Sequence, residues 1–349
     1  MTDKNNIMKK VKSIIAVIAV AASVLLSCVG CNQNRVNTDI VYGYFGGTYF
    51  QLYDYSGMKE RDFSALFEKL HERLEYYSRL YDIYYEYSGI NNLKTVNDKA
   101  GEAVSVPSEI IDLIEFSKEA YEITAGEVNI AFGAVLSLWH DARYAEVKYI
   151  PDEQALRDAS EHCDINDVVV DRERGSVKLV DPEMSLDVGA VAKGYAVEML
   201  ALYAEELGAA SLVIDVGGNL RTVGEHPEGG GWTMHVRNPD LSSDNTKIST
   251  LNNVRGALVT SGDYQQYFEY NGKKYNHIID KDTLMPAEHV ASVSVVCPSS
   301  ATADALSTAL FAMSQGEGYR LVSNMPEVEC VVWVSGDGMV MKYTRQSEN

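Results

Sequence analysis

Helical periodicity of apolar side chains is clearest near the N-terminal end of the chain. Between residues 59 and 80, apolar residues recur every three or four positions with charged residues between them. This spacing predicts an amphipathic helix, whose buried face comprises Phe63, Leu66, Phe67, Leu70, Leu74 and Tyr77. A second helix is predicted to begin at Pro107-Ser108, with Ile110, Leu113 and Ile114 on one side. The Tyr- and Asn-rich stretch 81–97 between them is predicted to be a loop.

Short β-rich runs separated by turn residues dominate the rest of the chain. The stretch 168–180 predicts one hairpin, and Asn271-Gly272 predicts another. Helical patterns return in a helix that carries Lys193 near its start and ends at Gly208, and again at 301–313. Strands and helices alternate without a repeating β-α-β period, and no composition break marks a linker. The sequence therefore predicts one α+β domain, residues 39–345, with a mixed or antiparallel sheet and packed helices.

The charge balance limits the possible partners. The 349-residue chain has 50 acidic and 30 basic residues, a formal net charge of −20. Such a surface repels nucleic acid, so we expect no nucleic-acid partner. It also repels polyphosphate substrates unless local cations or a divalent metal offset the field.

The N-terminal residues indicate export. Lysines precede an apolar run, 14–26, that is too short for a comfortable membrane span and resembles a secretory signal. The run ends in L-L-S-C, which resembles a bacterial lipobox with Cys28 as the lipidated residue. We therefore predict a signal peptide (1–27), a tether (28–38) and a lipid anchor on the extracytoplasmic face of the cell membrane. An ordinary cleaved signal with incidental cysteines is the alternative.

A candidate anion site lies in S-L-D-V-G-A-V-A-K-G, where a short apolar run leads through Asp187 into a helix that carries Lys193. A helix start has unpaired N–H groups and a partial positive charge, which suit an anion, and Lys193 adds a formal charge. The spacing matches neither G-x-x-x-x-G-K-[ST] nor G-x-G-x-x-G. On these residues alone, a plain strand-to-helix turn is an equal alternative.

A candidate cation site is predicted farther along the chain. Asp304 and Thr308 are four residues apart, so they share a face of the predicted helix. A carboxylate and a hydroxyl form an oxygen-only pair, which suits Mg²⁺; alternatively, Asp304 caps a helix that starts later. His277, after the second hairpin, is a general base near neutral pH or a structural histidine on a strand edge.

Taken in order, these segments form a recognisable set: D-V-G-A-V-A-K-G-Y-A-V, V-I-D-V-G-G-N-L, T-S-G-D-Y, Y-N-H-I-I-D and A-D-A-L-S-T-A-L-F. The set resembles the ApbE family of FAD:protein FMN transferases, many of which are bacterial lipoproteins. The resemblance implies a T-fold-related architecture. It also implies Mg²⁺-dependent cleavage of the FAD pyrophosphate, release of AMP, and attachment of FMN to a Thr or Ser of an acceptor flavoprotein. A membrane or extracytoplasmic redox subunit is the acceptor that the lipid anchor favours.

The resemblance also implies roles for individual residues. Asp304 and Thr308 would bind the metal with the backbone carbonyl of Ala190. Asp187 and Lys193 would contact FAD. His277 would take the proton from the acceptor hydroxyl. Further FAD contacts are implied at Tyr81, Glu127, Val128, Asn129 and Ile279.

Two matters stay open at this level. The usual H-I-I-D-P-R-T-G of the family reads H-I-I-D-K-D-T-L here, and the loss of its Pro and Gly predicts a different path for the loop after Asp280. The residues also allow two other functions, a Mg²⁺-dependent FAD pyrophosphatase and a non-catalytic flavin-binding lipoprotein.

Overall fold

Eight α-helices and fifteen β-strands make up the described residues of the computed structural model, 36–45 and 47–345. The helices are α1 (Glu60–Leu80), α2 (Leu93–Asp98), α3 (Ser108–Ile123), α4 (Gly133–Tyr144), α5 (Glu153–Ser160), α6 (Ala192–Glu206), α7 (Ser300–Ala312) and α8 (Gln315–Ser323). The strands are β1 (Asn37–Tyr44), β2 (Thr48–Asp54), β3 (Ala103–Ser105), β4 (Val168–Asp171), β5 (Ser176–Leu179), β6 (Ser211–Val216), β7 (Asn219–Gly224), β8 (Trp232–Arg237), β9 (Lys247–Val254), β10 (Ala257–Gly262), β11 (Tyr267–Tyr270), β12 (Lys273–Asn276), β13 (Ser292–Cys297), β14 (Cys330–Val334) and β15 (Val340–Thr344).

An eight-stranded antiparallel sheet forms the centre of the fold. Its strand order is β1-β2-β6-β7-β10-β13-β14-β15, and each neighbouring pair runs antiparallel. Strand β7 is followed in the sheet by β10 because the β8–β9 hairpin leaves it. A three-stranded sheet (β3-β5-β4) and the β11–β12 hairpin lie outside it. These features confirm the predicted α+β fold and both predicted hairpins.

Different layers bury the two faces of the central sheet. Along β6, Leu212 and Ile214 belong to one apolar core, whereas Val213 between them belongs to another, as the alternation of side chains along a strand requires. Helices α1, α6 and α7 cover the first face. The β8–β9 hairpin covers the second with Trp232 and Leu251. Burial on both faces explains why β6 reads as a nearly continuous apolar run.

A third apolar cluster supports the segment that carries His277. Trp139 of α4 and Leu156 of α5 pack with Phe268 of β11 and with Ile279. His277 follows β12 directly and precedes Ile279 by two residues. The cluster therefore fixes the backbone on the C-terminal side of His277.

Several elements escape prediction from the apolar pattern. Helix α2 lies within the predicted loop 81–97, and the pattern predicts neither α5, α8 nor β9. Leu156 is the buried residue of α5, and Gly318 and Val322 are those of α8. Neither helix therefore carries a broad apolar stripe, which is the signal that predicts α1.

The predicted lipid anchor lies outside the described residues, as do Cys28 and the signal segment 1–27. Strand β1 begins at Asn37, so the last residues assigned to the tether (28–38) belong to that strand. None of the described helices is both long enough and apolar enough to cross a bilayer.

A buried ion pair joins α6, β7 and α7. The Glu198 carboxylate on α6 accepts hydrogen bonds from Arg221 Nε at 3.0 Å and Nη2 at 3.1 Å. It also accepts the backbone N–H of Ser300, the first residue of α7, at 2.6 Å. The Glu198 and Arg221 side chains are only 11% and 14% exposed. The pair therefore fixes α7, and with it Asp304, against α6.

Replacing Glu198 with Gln should lower the free energy of unfolding by about 3–5 kcal/mol, because Arg221 would keep its charge in a buried position without a counter-ion. Denaturant unfolding followed by circular dichroism measures this loss. Glu115→Gln is the matched control, since Glu115 pairs with Arg172 at the surface, where ion pairs contribute little. Equal stability of the two variants would contradict the proposed bracing role.

Candidate active site

The candidate site is built on the closest approach of α6 to α7. The Gly194 N–H donates a hydrogen bond of 2.8 Å to Asp304 Oδ2. A Cβ at Gly194 would lie 2.3 Å from the Asp304 Cβ and 2.5 Å from the Ser300 carbonyl oxygen. Only glycine therefore allows this contact, which explains the physical need for the Gly that follows Lys193.

The Ala190 carbonyl lies just before α6 and is available to a ligand. Val191 and Ala192 both donate their backbone N–H groups to the Val188 carbonyl as α6 begins. Gly194 is the third residue of α6, so its N–H is one of the helix-start groups that have no partner within the helix, and it donates to Asp304. Among the backbone hydrogen bonds of the described residues, none ends on the Ala190 carbonyl.

Asp304 lies inside α7 and does not cap it. The helix begins at Ser300, and the side chain of Ser299 caps it by accepting the Thr302 N–H. The alternative in which Asp304 caps a later helix is therefore wrong. Thr308 lies one turn farther along α7 and is partly exposed, with its hydroxyl 3.4 Å from Ser261 Oγ.

The electrostatics at Asp304 favour a cation. The side chain is buried, and this burial raises the pKa of its carboxyl, against the opposing effects of Lys193 and the Gly194 N–H. The Asp304 carboxylate, the Thr308 hydroxyl and the free Ala190 carbonyl offer only oxygen donors, which suit a hard cation. No group of three or more His, Cys, Asp or Glu side chains that could hold a metal ion occurs within 36–45 and 47–345. The residues present therefore fit the predicted oxygen-only donor set.

The V-I-D-V-G-G-N segment forms a tight turn beside this junction. Asp215 Oδ1 accepts the Gly218 N–H at 2.8 Å, and Oδ2 accepts the Tyr49 hydroxyl at 3.0 Å. Burial raises the pKa of Asp215 to about 6. Gly217 and Gly218 have φ angles of +58° and +93°, and the turn leads into Asn219, whose amide lies next to Asp304 and favours its charged form.

His277 has the geometry of a base. Its Nδ1 lies 3.1 Å from the Gln266 carbonyl oxygen, an acceptor, so Nδ1 carries the hydrogen and Nε2 keeps its lone pair. Burial, together with the positive charges of Arg143 and Lys193, lowers the pKa of His277 to about 4. The imidazole is therefore neutral at physiological pH and able to accept a proton.

Two cations that form no close ion pair in the described residues lie near enough to His277 to affect its charge. Neither Lys193 nor Arg143 has a carboxylate within 4.0 Å among the described ion pairs, and the Arg143 Nε is buried without a hydrogen-bond partner. In a chain of net charge −20, this arrangement concentrates positive potential beside the base. It favours the anion-site interpretation over a plain turn. Sequence reasoning missed Arg143, because nothing in its helix marks it.

Asp187 also lies close enough to Arg143 to feel its charge. Its Oδ1 accepts the Gly189 N–H at 2.8 Å. Burial raises the pKa of its carboxyl, and Arg143 and His140 act in the opposite direction. Tyr84, which is 51% exposed, stacks on the His140 ring with centroids 4.9 Å apart. Tyr84 also feels the charge of Asp187, so it is an exposed aromatic side chain close to Asp187.

Tyr81 lies in the helical core. It is 3% exposed, its ring stacks on Tyr77 at 5.6 Å, and its hydroxyl lies 3.4 Å from the Glu109 carbonyl oxygen. The Tyr81 ring is therefore enclosed by the core, whereas the Tyr84 ring is half exposed. A run of closely spaced tyrosines offers no sequence signal that distinguishes the two.

The predicted FAD loop and the segment after His277 come together at an ion pair. Glu127 Oε1 lies 3.4 Å from the Lys281 Nζ, and burial raises the pKa of Glu127. Ile279, two residues before Lys281, is buried in the Trp139 cluster. The Glu127 carboxyl therefore lies beside Lys281, whereas the Ile279 side chain packs into the Trp139 cluster.

Val128 and Asn129 have structural surroundings. Val128 is buried in the main core. Asn129 Oδ1 accepts the Ala131 N–H at 2.9 Å, and its Nδ2 donates to the Cys163 carbonyl at 2.8 Å. Both polar atoms of the Asn129 amide therefore have a partner in the protein.

The loop after Asp280 forms a turn although it lacks the Pro and Gly of the usual H-I-I-D-P-R-T-G motif. Asp280 Oδ1 accepts the N–H groups of Asp282 and Thr283 at 2.8 and 3.0 Å. Leu284 adopts φ +59°, in the left-handed region that favours glycine. Its carbonyl accepts the Trp139 Nε1–H at 2.9 Å. Side-chain contacts therefore impose a glycine-like turn on a leucine.

Known proteins resemble this chain along most of its length. The FAD:protein FMN transferase of Haemophilus influenzae is 28% identical over 347 residues, 96% of each chain. That of Treponema pallidum is 31% identical over 258 residues, 68% of this chain and 69% of its own.

Solved structures share the fold. The ApbE protein of Thermotoga maritima superposes with a TM-score of 0.77 at 26% identity, covering 89% of this chain and all of its own. The flavin transferase ApbE of Vibrio cholerae gives 0.72 at 22% identity, covering 89% and 98%. The sequence model of the ApbE family matches residues 47–332. The resemblance in the ordered motifs is thereby confirmed, and the chain belongs to the ApbE family.

Proposed function

We propose that this protein is an FAD:protein FMN transferase, which cleaves the FAD pyrophosphate and joins FMN to a Thr or Ser hydroxyl of an acceptor protein. The curated relatives carry that name. The observation that carries the proposal is the convergence of Lys193 and Arg143, without counter-ions, on a neutral His277. Such a site binds an anionic substrate and accepts a proton in the same place.

The residues divide the reaction between them. Lys193 and Arg143 hold the pyrophosphate by charge, while Tyr84 and Asp187 offer a stacking face and a hydrogen-bond acceptor to the rest of FAD. His277 Nε2 takes the proton of the acceptor hydroxyl as its oxygen bonds to the FMN phosphorus. The bond from that phosphorus to the bridging oxygen breaks, and AMP leaves with the electron pair.

We also propose that the site uses Mg²⁺. Asp304, Thr308 and the Ala190 carbonyl would hold it, since they form an oxygen donor set around a buried carboxylate. When bound, the ion would neutralise negative charge on the pyrophosphate oxygens. Asp304 is held ready for this role by the Gly194 N–H.

The N-terminal segment, which lies outside the described residues, supports a location for the enzyme. The signal-like segment that ends at Cys28 favours a lipid-anchored enzyme on the extracytoplasmic face of the bacterial membrane. A lipid anchor would bring the enzyme close to membrane or extracytoplasmic redox subunits, which we propose as acceptors.

The transferase should release AMP from FAD with Mg²⁺ and leave covalent flavin on an acceptor. Chromatography of AMP and in-gel flavin fluorescence measure the two products together. Asp304→Ala should lower both by about 100-fold, as the loss of a metal-site partner does, whereas Asp62→Ala on the surface of α1 should change neither. Free FMN without protein-bound flavin would identify a pyrophosphatase, and FAD binding without AMP release would identify a binding protein.

The pH dependence should show that His277 is unprotonated well below neutrality. Because its pKa is lowered to about 4, the acidic limb of kcat/KM should fall near that value and not near 6.5. His277→Gln should lower kcat by about 10²–10⁴-fold.

Lys193→Met should move this limb to higher pH, because it removes a cation that disfavours protonated His277. Lys342→Met, on β15, serves as the control and should leave the limb in place. A limb near 6.5 in the wild-type enzyme would contradict the assignment of His277 as the base.

Cys28→Ala should release the protein from the membrane fraction, because the lipid supplies the anchoring apolar surface. Cys31→Ala is the matched control and should keep the protein in the membrane fraction. Immunoblots of fractionated cells distinguish the two. Membrane association of Cys28→Ala equal to that of wild type would refute lipidation at this residue.

A further inference from the structure

Asn219 is a buried polar side chain without a partner. It is 1% exposed, and neither its Oδ1 nor its Nδ2 has a hydrogen-bond partner in the protein. Most buried polar groups in folded proteins are paired, so an unpaired amide requires an explanation. An asparagine in such a position implies that at least one of its polar atoms has a partner outside the polypeptide.

The surroundings of Asn219 indicate which partner that is. Its amide lies close enough to the Asp304 carboxylate to act on it, although neither amide atom makes a hydrogen bond of 3.5 Å or less in the protein. The Gly194 N–H already occupies Asp304 Oδ2. The Asn219 amide therefore lies next to the proposed cation site without a close protein partner.

The position of Asn219 is fixed by its backbone. It pairs with Val216 across the Gly217-Gly218 turn, and Asp215 holds that turn through the Gly218 N–H. The backbone is thus fixed at the start of β7, and the side chain lies buried beneath the surface.

We propose that Asn219 is a positioning residue of the cation site, a role that rests on the proposed function. An amide offers a donor and an acceptor in one neutral group. Its N–H can orient the Asp304 carboxylate, while its oxygen serves the cation or a water bound to it. Both atoms then gain partners without any change in the net charge of the site.

The test compares Asn219→Leu, which keeps the approximate size of the side chain and removes its polar atoms, with the wild type. Calorimetric titration with MgCl₂, alone and with ADP as a pyrophosphate probe, measures affinity. Binding of Mg²⁺ should weaken by about 10–100-fold in the variant. Thermal unfolding without metal should show an unchanged or higher Tm, because an apolar replacement relieves an unpaired buried amide.

Ser292→Ala provides the matched control. Ser292 is also fully buried with an unpartnered hydroxyl, but it lies on β13 between Gly262 and Val334. It should bind Mg²⁺ like the wild type. A merely structural Asn219 would give the reverse result in Asn219→Leu, with a lower metal-free Tm and unchanged Mg²⁺ affinity.

Two results would overturn the proposal: Mg²⁺ affinity in Asn219→Leu equal to that of wild type, or no Mg²⁺ binding by the wild type under either condition. The failure of the proposed function is a separate result, namely no AMP release from FAD by a wild-type protein that binds Mg²⁺.

Discussion

The contact between Gly194 and Asp304 is the constraint on which the site depends. Because Gly194 has no side chain, α6 approaches α7 closely enough for a backbone N–H to reach a carboxylate. The Ala190 carbonyl lies just before α6 and accepts no backbone hydrogen bond among the described residues. The absence of a Cβ at Gly194 thus holds a buried carboxylate against the start of α6, next to Lys193.

Charges are used in two different ways in this protein. Glu198 and Arg221 are buried and satisfy each other, so they brace the elements that carry the site. Lys193 and Arg143 lack such partners and lie where an anion would bind. The net charge of −20 makes these two cations more important, because the acidic surface repels a phosphate and the two cations attract it.

The sequence predicts those parts of the fold and site that depend on spacing. Helical periodicity predicts α1, and the four-residue spacing places Asp304 and Thr308 on one face of α7. Helix α8 is marked instead by a capping box of Ser314 and Glu317, and a search for apolar periodicity does not detect it. Arg143 could not be predicted, because its role arises from packing between distant segments. The burial of Tyr81 and the exposure of Tyr84 likewise depend on packing and not on local spacing.

Leu284 shows how the site depends on a layer that never touches the substrate. A leucine at φ +59° does not choose that backbone conformation by itself; the Trp139 indole and the Asp280 carboxylate hold it there. The turn that follows His277 therefore owes its shape to α4 and to the cluster beneath it. Substitutions at Trp139 or Asp280 should therefore slow turnover even though these side chains lie away from the reacting atoms.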